Sequence, residues 1–156
     1  MAVFLGIDPG LATVGFGVIE SDKNGLRFID CGIIKTPKDL SLPERLAMIE
    51  TDLESLLKNI RPAAVGVEDL YFAKNVTTAL KVAHARGVIL AHLSRHHIPL
   101  FEFSPLQVKN GVTGDGKADK RMMQAMVQRL LNLKTPPKPD DAADALAVAI
   151  LTSRFF

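Results

Sequence analysis

Three strand-like runs follow one another in the first 35 residues, before any helical period begins. Residues 3–8 form a short apolar run closed by Pro9-Gly10, a turn dipeptide. Residues 13–20 alternate again around Gly15 and Gly17, residues 22–25 are turn chemistry, and residues 26–35 read as a third strand. Connections this short predict an antiparallel meander. Helical period then sets in. Ser41-Leu42-Pro43-Glu44 is a capping-box start, and Leu46, Ile49, Leu53, Leu57 and Ile60 repeat at helical spacing up to Arg61-Pro62. Residues 63–68 read as a fourth strand, which a helical crossover would place parallel to its neighbour. A long helix over 75–97, a strand over 98–103, a short helix or turn over 105–111, an amphipathic helix within 118–133 and a last helix over 140–152 complete the order. In the amphipathic helix, Met122, Met126, Leu130 and Leu133 mark the expected apolar side. The reading is an α/β chain, a mixed sheet covered by helices, in a single domain spanning residues 1–156.

Composition narrows the class. The chain has 156 residues, is 47% apolar and carries a formal charge of +2, so disorder is excluded. One cysteine, Cys31, allows no intrachain disulfide and favours a reducing compartment. No apolar run approaches the ~20 residues of a membrane span, and no basic leader precedes the first strand. A cytoplasmic protein is expected. The small net charge hides an asymmetry: residues 37–70 hold four basic and seven acidic side chains, residues 107–138 seven basic and two acidic. A basic segment of this kind suits a polyanion, or is only an unevenly charged solvated surface.

The carboxylates carry the sharper signal. Asp8 ends the first strand, Glu68 ends the fourth, and Asp141 and Asp144 lie three apart at the start of the last helix. Each has an ordinary explanation. Asp8 suits a turn, Glu68-Asp69 a solvated strand end, Asp140 an N-cap, and Asp141 and Asp144 the helix dipole. If the first and fourth strands are parallel neighbours, the carboxylates meet at one sheet edge. Oxygen-rich clusters of that kind are stabilised by Mg²⁺ or Mn²⁺, and a pair of such ions can clamp both oxygens of a phosphodiester exchange.

Gly6-Ile7-Asp8-Pro9-Gly10, Gly15-Phe16-Gly17, Val67-Glu68-Asp69 with Ala73-Lys74-Asn75, and residues 141–147 together resemble the RuvC family of Holliday-junction resolvases. Ala85-Arg86-Gly87-Val88 and Gln107-Val108-Lys109 are similar to it too, and the likeness runs in order through nearly the whole chain. The resemblance implies an RNase H-like fold with a five-stranded mixed sheet in the order 3-2-1-4-5. It implies a Mg²⁺-dependent endonuclease, with two ions per site and Mn²⁺ as a substitute. Such an enzyme makes two symmetric cuts in a four-way DNA junction during recombination and repair, leaving a 5′ phosphate and a 3′ hydroxyl. It assigns the metal to Asp8, Glu68, Asp141 and Asp144, and phosphate contact or transition-state charge to Lys109 and Lys120. Tyr71 would stack on a junction base; Phe72, Lys74, Lys117 and Arg121 join it as DNA-binding candidates. A homodimer is implied, with RuvA and RuvB as possible partners. Few residues follow the last helix, so contacts made by a longer basic tail in some relatives are not expected here.

Other features compete. Residues 111–118 nearly spell a nucleotide-binding P-loop, but Ala118 stands where a hydroxyl is needed and no strand leads in. His92 and His96 are spaced as a metal pair with no third ligand evident in the sequence, so they read as surface or interface histidines. Cys31 reads as a buried small side chain. Ala79, Ala83, Gly87 and Ala91 form a row of small residues, packed either on the sheet or in a dimer. A sugar-kinase or actin type of ATPase shares the topology but needs two lobes. A catalytically inactive junction-binding module is the remaining alternative; the full acidic set argues against it.

Overall fold

The computed structural model describes residues 1–70 and 75–156. Strands β1 (Ala2–Asp8), β2 (Thr13–Asp22) and β3 (Gly25–Lys35) form the meander. They are followed by α1 (Leu42–Ile60), β4 (Ala64–Glu68), α2 (Val76–Arg95) and β5 (Leu100–Phe103), then by α3 (Pro105–Thr113), α4 (Lys120–Leu130) and α5 (Asp140–Phe155). The sheet order is β3-β2-β1-β4-β5, as expected. β1 pairs antiparallel with β2 and parallel with β4, and β4 pairs parallel with β5. Among the described residues, no helix is long and apolar enough to cross a membrane.

Period-two alternation divides the strand residues between two cores. Leu5, Ile7, Val65 and Val67 join Ile49 and Leu53 of α1 and Ala85, Ile89 and Leu93 of α2 on one face. Phe4, Ile19 and Ala64 join Phe103, Met123, Val127 and the apolar run of α5 on the other. Each large aliphatic buried this way contributes roughly 1.5–3 kcal/mol relative to exposure.

The caps set the helix bounds. Ser41 and Ser104 make capping boxes with Glu44 and Gln107, Asn75 accepts from the Thr78 amide, and Asp119 from the Met122 amide. Several expectations are corrected. The residue capping α5 is Pro139, whose carbonyl takes the Ala142 and Ala143 amides at 3.0 and 3.1 Å; Asp140 is already inside the helix. α4 buries Met123 and Val127 and leaves Met122 47% exposed, because capping at Asp119 turns that face onto α3 and α5. In the row of small residues, only Ala79 is buried. Ala83, Gly87 and Ala91 face outward, since α2 meets the sheet through Ala85, Ile89 and Leu93. Cys31 is half-buried, its thiol held above the usual range by desolvation and then by Asp30.

Candidate active site

A row of glycines puts the site together. Gly17, Gly6 and Gly66 lie side by side across β2, β1 and β4. A Cβ on Gly6 would stand 2.0 Å from the Ala145 carbonyl oxygen, and one on Gly17 2.6 Å from the Leu146 amide. Gly15 comes as close to Asp141, at 2.1 Å from its carbonyl oxygen. The bare backbone lets α5 lie directly on the sheet, so its first turns end beside the C-terminal edge of β1.

That edge carries the carboxylates. Ile7 pairs with Val67, so Asp8 and Glu68 leave adjacent parallel strands together. α5 delivers Asp141 and Asp144 to the same place. One oxygen from each of Asp8, Asp141 and Asp144 lies within 4.8 Å of the others. Glu68 stands beside them between two open clefts. One, of about 290 Å³, is shared with Asp8, Asn75 and Thr78; the other, of about 270 Å³, with Lys109, Lys120 and Asp144.

The electrostatics follow from that crowding. The Asp8 carboxyl is pushed up to about 9, first by burial, then by the charges of Glu68 and Asp144, a hydrogen bond to Glu68, and Asp141. Burial raises Glu68 as well, offset in part by its hydrogen bond with Asp8 and by Lys109 and Lys120. Asp144 is raised by burial, with Lys120 opposing. Burial and mutual repulsion thus favour the protonated forms of Asp8 and Glu68 in the metal-free protein. Four hard oxygen donors that repel one another fit divalent cations of the Mg²⁺ class, whose charge would relieve the repulsion.

The lysines stand at the rim. Lys120 Nζ lies 3.2 Å from Asp140 and 3.9 Å from Asp144. Desolvation lowers the Lys120 ammonium, but Asp144, Asp140 and Asp141 outweigh it and hold its pKa above the usual value. Lys117, on the approach to α4, and Arg121, in its first turn, are exposed. Tyr71, Phe72 and Lys74 lie outside the described residues.

Sequence reasoning missed the supports. The Thr13 hydroxyl donates to Asp141 at 2.7 Å, fixing that carboxylate from β2. The Arg86 guanidinium donates to the Glu68 carbonyl oxygen at 3.2 Å, and is itself held by Asp69 at 3.3 Å and by Glu102. Asp140, exposed, binds Lys120 and accepts from Gln124 at 2.9 Å; it lies outside the three-residue oxygen cluster. The cross-strand pairing of Asp8 with Gly15 was the available signal for Thr13, since it brings the start of β2 to the same edge. The P-loop likeness dissolves: Gly111 lies within α3, and Gly114 is the left-handed cap of that helix (φ 78°). A helix stands where the preceding strand would be required.

Comparison with known proteins identifies the family of the chain. The family described as crossover junction endodeoxyribonuclease RuvC matches residues 4–152. The crossover junction endodeoxyribonuclease RuvC of Roseiflexus sp. (strain RS-1) is 51% identical over 146 residues, 94% of this chain and 87% of that relative. That of Alkaliphilus oremlandii (strain OhILAs) is 50% identical over 148 residues, 95% of this chain and 90% of that relative. The structure of T. thermophilus RuvC in complex with Holliday junction substrate superposes with a TM-score of 0.92 at 33% identity, covering 99% of this chain and 94% of that one. The match runs from β1 into α5, through every element that carries one of the four carboxylates, and the chain belongs to the RuvC family of crossover junction endodeoxyribonucleases.

Proposed function

We propose that this chain resolves four-way DNA junctions by hydrolysing two opposed phosphodiesters. The observation that carries the reading is the carboxylate cluster on the strand edge of a RuvC-family chain, beside a lysine-lined cleft. Asp8, Glu68, Asp141 and Asp144 would hold Mg²⁺, with Mn²⁺ as a substitute. When bound, a pair of such ions stabilises charge on both the entering and the leaving oxygen of an in-line displacement. The chain's own residues do the rest. Thr13 orients Asp141, Arg86 fixes the backbone at Glu68, and Asp140 restrains Lys120 at the rim. Lys109 and Lys120 are positioned to meet the scissile phosphate and the charge that develops on it. Lys117, Arg121 and Lys74 are proposed phosphate contacts, which position the DNA without reading its sequence. Tyr71 and Phe72 are proposed to meet an unpaired base; stacking of this type contributes about 1–3 kcal/mol. We assign these roles to one domain spanning residues 1–156. The enzyme acts in the cytoplasm, and RuvA and RuvB are its partners on family grounds.

Incubation with a synthetic four-way junction and Mg²⁺, beside a linear duplex of the same sequence, tests the reading. Paired nicks that a ligase reseals, on the junction alone and lost in EDTA, are expected. Junction binding without cutting in any divalent metal would overturn the assignment in favour of an inactive binding module.

A junction with two-fold symmetry calls for two sites related by two-fold symmetry. The outward row of α2 is our proposed dimer face. Val76 (66% exposed) and Leu80 (57%) extend the line of Ala83, Gly87 and Ala91 at helical spacing, and a Cβ on Gly87 would meet nothing within 4 Å. Leu80→Glu should leave the melting temperature of the monomer nearly unchanged while shifting sedimentation from dimer to monomer. A Leu80→Glu protein that still sediments as a dimer would move the interface elsewhere.

A further inference from the structure

The pair His92 and His96, without a third ligand in the sequence reading, acquires one in the fold. α1 and α2 pack side by side, and Glu54 of α1 meets both imidazoles with a single oxygen. His92 Nε2 lies 2.8 Å and His96 Nε2 2.6 Å from Glu54 Oε2. The other Glu54 oxygen is held by Lys58 at 3.2 Å. His92 Nδ1 faces Glu50 Oε1 at 3.1 Å, which Arg95 also reaches at 3.0 Å. His92 is buried, and one donor atom from each of Glu54, His92 and His96 falls within 4.8 Å of the others.

Two acceptors cannot face each other at these distances without a cation between them. A carboxylate only accepts, and a neutral imidazole has a single N–H. If His92 gives that N–H to Glu50, its Nε2 presents a lone pair to Glu54 Oε2. Protons could bridge the gap, and so could a metal ion. An imidazole whose far nitrogen is held by a carboxylate is the usual outer arrangement of a zinc-binding histidine. Histidines four apart on one helix, completed by a carboxylate from elsewhere, are a usual zinc ligand set. Bonds of roughly 2.0–2.1 Å place tetrahedral ligand atoms about 3.3 Å apart, so Glu54 Oε2 must draw back by roughly 0.5–0.7 Å from the two nitrogens that now stand at 2.8 and 2.6 Å.

We propose that Glu54, His92 and His96 form a second metal site that takes Zn²⁺, or another imidazole-preferring ion such as Co²⁺, with water in the fourth position. This site differs in kind from the carboxylate cluster. Nitrogen donors select zinc, whereas the all-oxygen edge suits Mg²⁺. It is also remote: His92 lies about 25 Å along α2 from the helix start that borders the active-site cleft. Its role is to clamp α1 to α2, the helix whose Arg86 holds the Glu68 backbone.

The test uses the full chain, stripped of metal and then kept in excess Mg²⁺ so that the carboxylate edge is occupied. Equilibrium dialysis against Zn²⁺ should load one ion per chain, and the melting temperature should rise with Zn²⁺ concentration. His96→Ala and Glu54→Gln should each weaken Zn²⁺ binding by about 100-fold or more and remove that rise. Both leave junction cleavage in Mg²⁺ unchanged, so failure of this site and failure of the nuclease reading are separable. No Zn²⁺ uptake in the presence of Mg²⁺ would overturn the proposal. So would uptake that survives both substitutions, or uptake lost in Asp8→Asn, which would place the ion among the catalytic carboxylates.

Discussion

Asp8→Asn is expected to abolish junction cleavage and, in metal-free buffer, to make the protein more stable. The first effect follows from removing a carboxylate from the centre of the proposed metal cluster, and a loss of about 10³-fold or more is expected. The second follows from linkage. Asp8 ionises near 3.8 when unfolded but holds its proton up to about 9 in the fold, chiefly because of burial and then the Glu68 and Asp144 charges. Between those limits the folded state binds the extra proton, so stability is full below about pH 4 and falls as pH rises towards 9. Asparagine cannot ionise and escapes that fall. The variant should therefore melt higher than the metal-free wild type at mildly alkaline pH. The gap should be several kcal/mol, on the order of 10 °C for a chain of this size, and should widen with pH up to about 9. Mg²⁺ should close or reverse it, because only the wild type gains the full binding energy. Junction affinity measured by gel shift should change little, since the lysines that meet phosphate remain. Thermal melts of both proteins in EDTA across the pH range decide the matter. A gap that does not grow with pH would show that Asp8 is not held protonated.

How much of this was legible beforehand depends on the range of the interactions involved. The meander and the crossover rest on local periodicity, turn residues and caps, and these appear in the chain as written; the full sheet order came from the family resemblance. So do the four carboxylates, because each sits at the end of an element whose bounds the local signals set. Their convergence was conditional on β1 and β4 being parallel neighbours, which the pairing of Ile7 with Val67 satisfies. What stayed hidden came from pairings distant in sequence. Thr13 and Asp141 are 128 positions apart, and Arg86 reaches back 18 positions to Glu68. Glu54 and the imidazoles meet only because α1 and α2 are neighbours, and no periodicity within either helix announces it. The phase of α4 failed for a related reason. Met122 and Met123 are equally apolar, and only the packing partners choose between them.

The glycine row leads to the second large effect. Gly6→Val should unfold the protein or leave it grossly unstable, although valine favours strands in general. At this position the neighbours are backbone: a Cβ would lie 2.0 Å from the Ala145 oxygen, 2.4 Å from the Ala149 nitrogen and 3.0 Å from its Cα. Backbone cannot rotate away as a side chain can, so α5 must lift from the sheet. α5 is also the most buried helix, with Ala142 to Thr152 inside except Asp144. Overpacking a core costs typically 1–3 kcal/mol, and displacing this helix costs more than the upper end of that range. Gly6→Ala separates the functional consequence from simple unfolding. A protein that still folds should carry Asp141 and Asp144 away from Asp8, so cleavage should fall by more than its lower melting temperature explains. Mg²⁺ should also stabilise it less than it does the wild type. Gly87→Ala is a control for monomer stability only, since its Cβ would meet nothing within 4 Å in its own protomer while Gly87 lies on the proposed dimer face. There the change should stabilise α2 by up to about 1 kcal/mol through helix propensity. If Gly6→Ala left melting temperature, Mg²⁺ response and cleavage at their wild-type values, the close seating of α5 would not be what assembles the site.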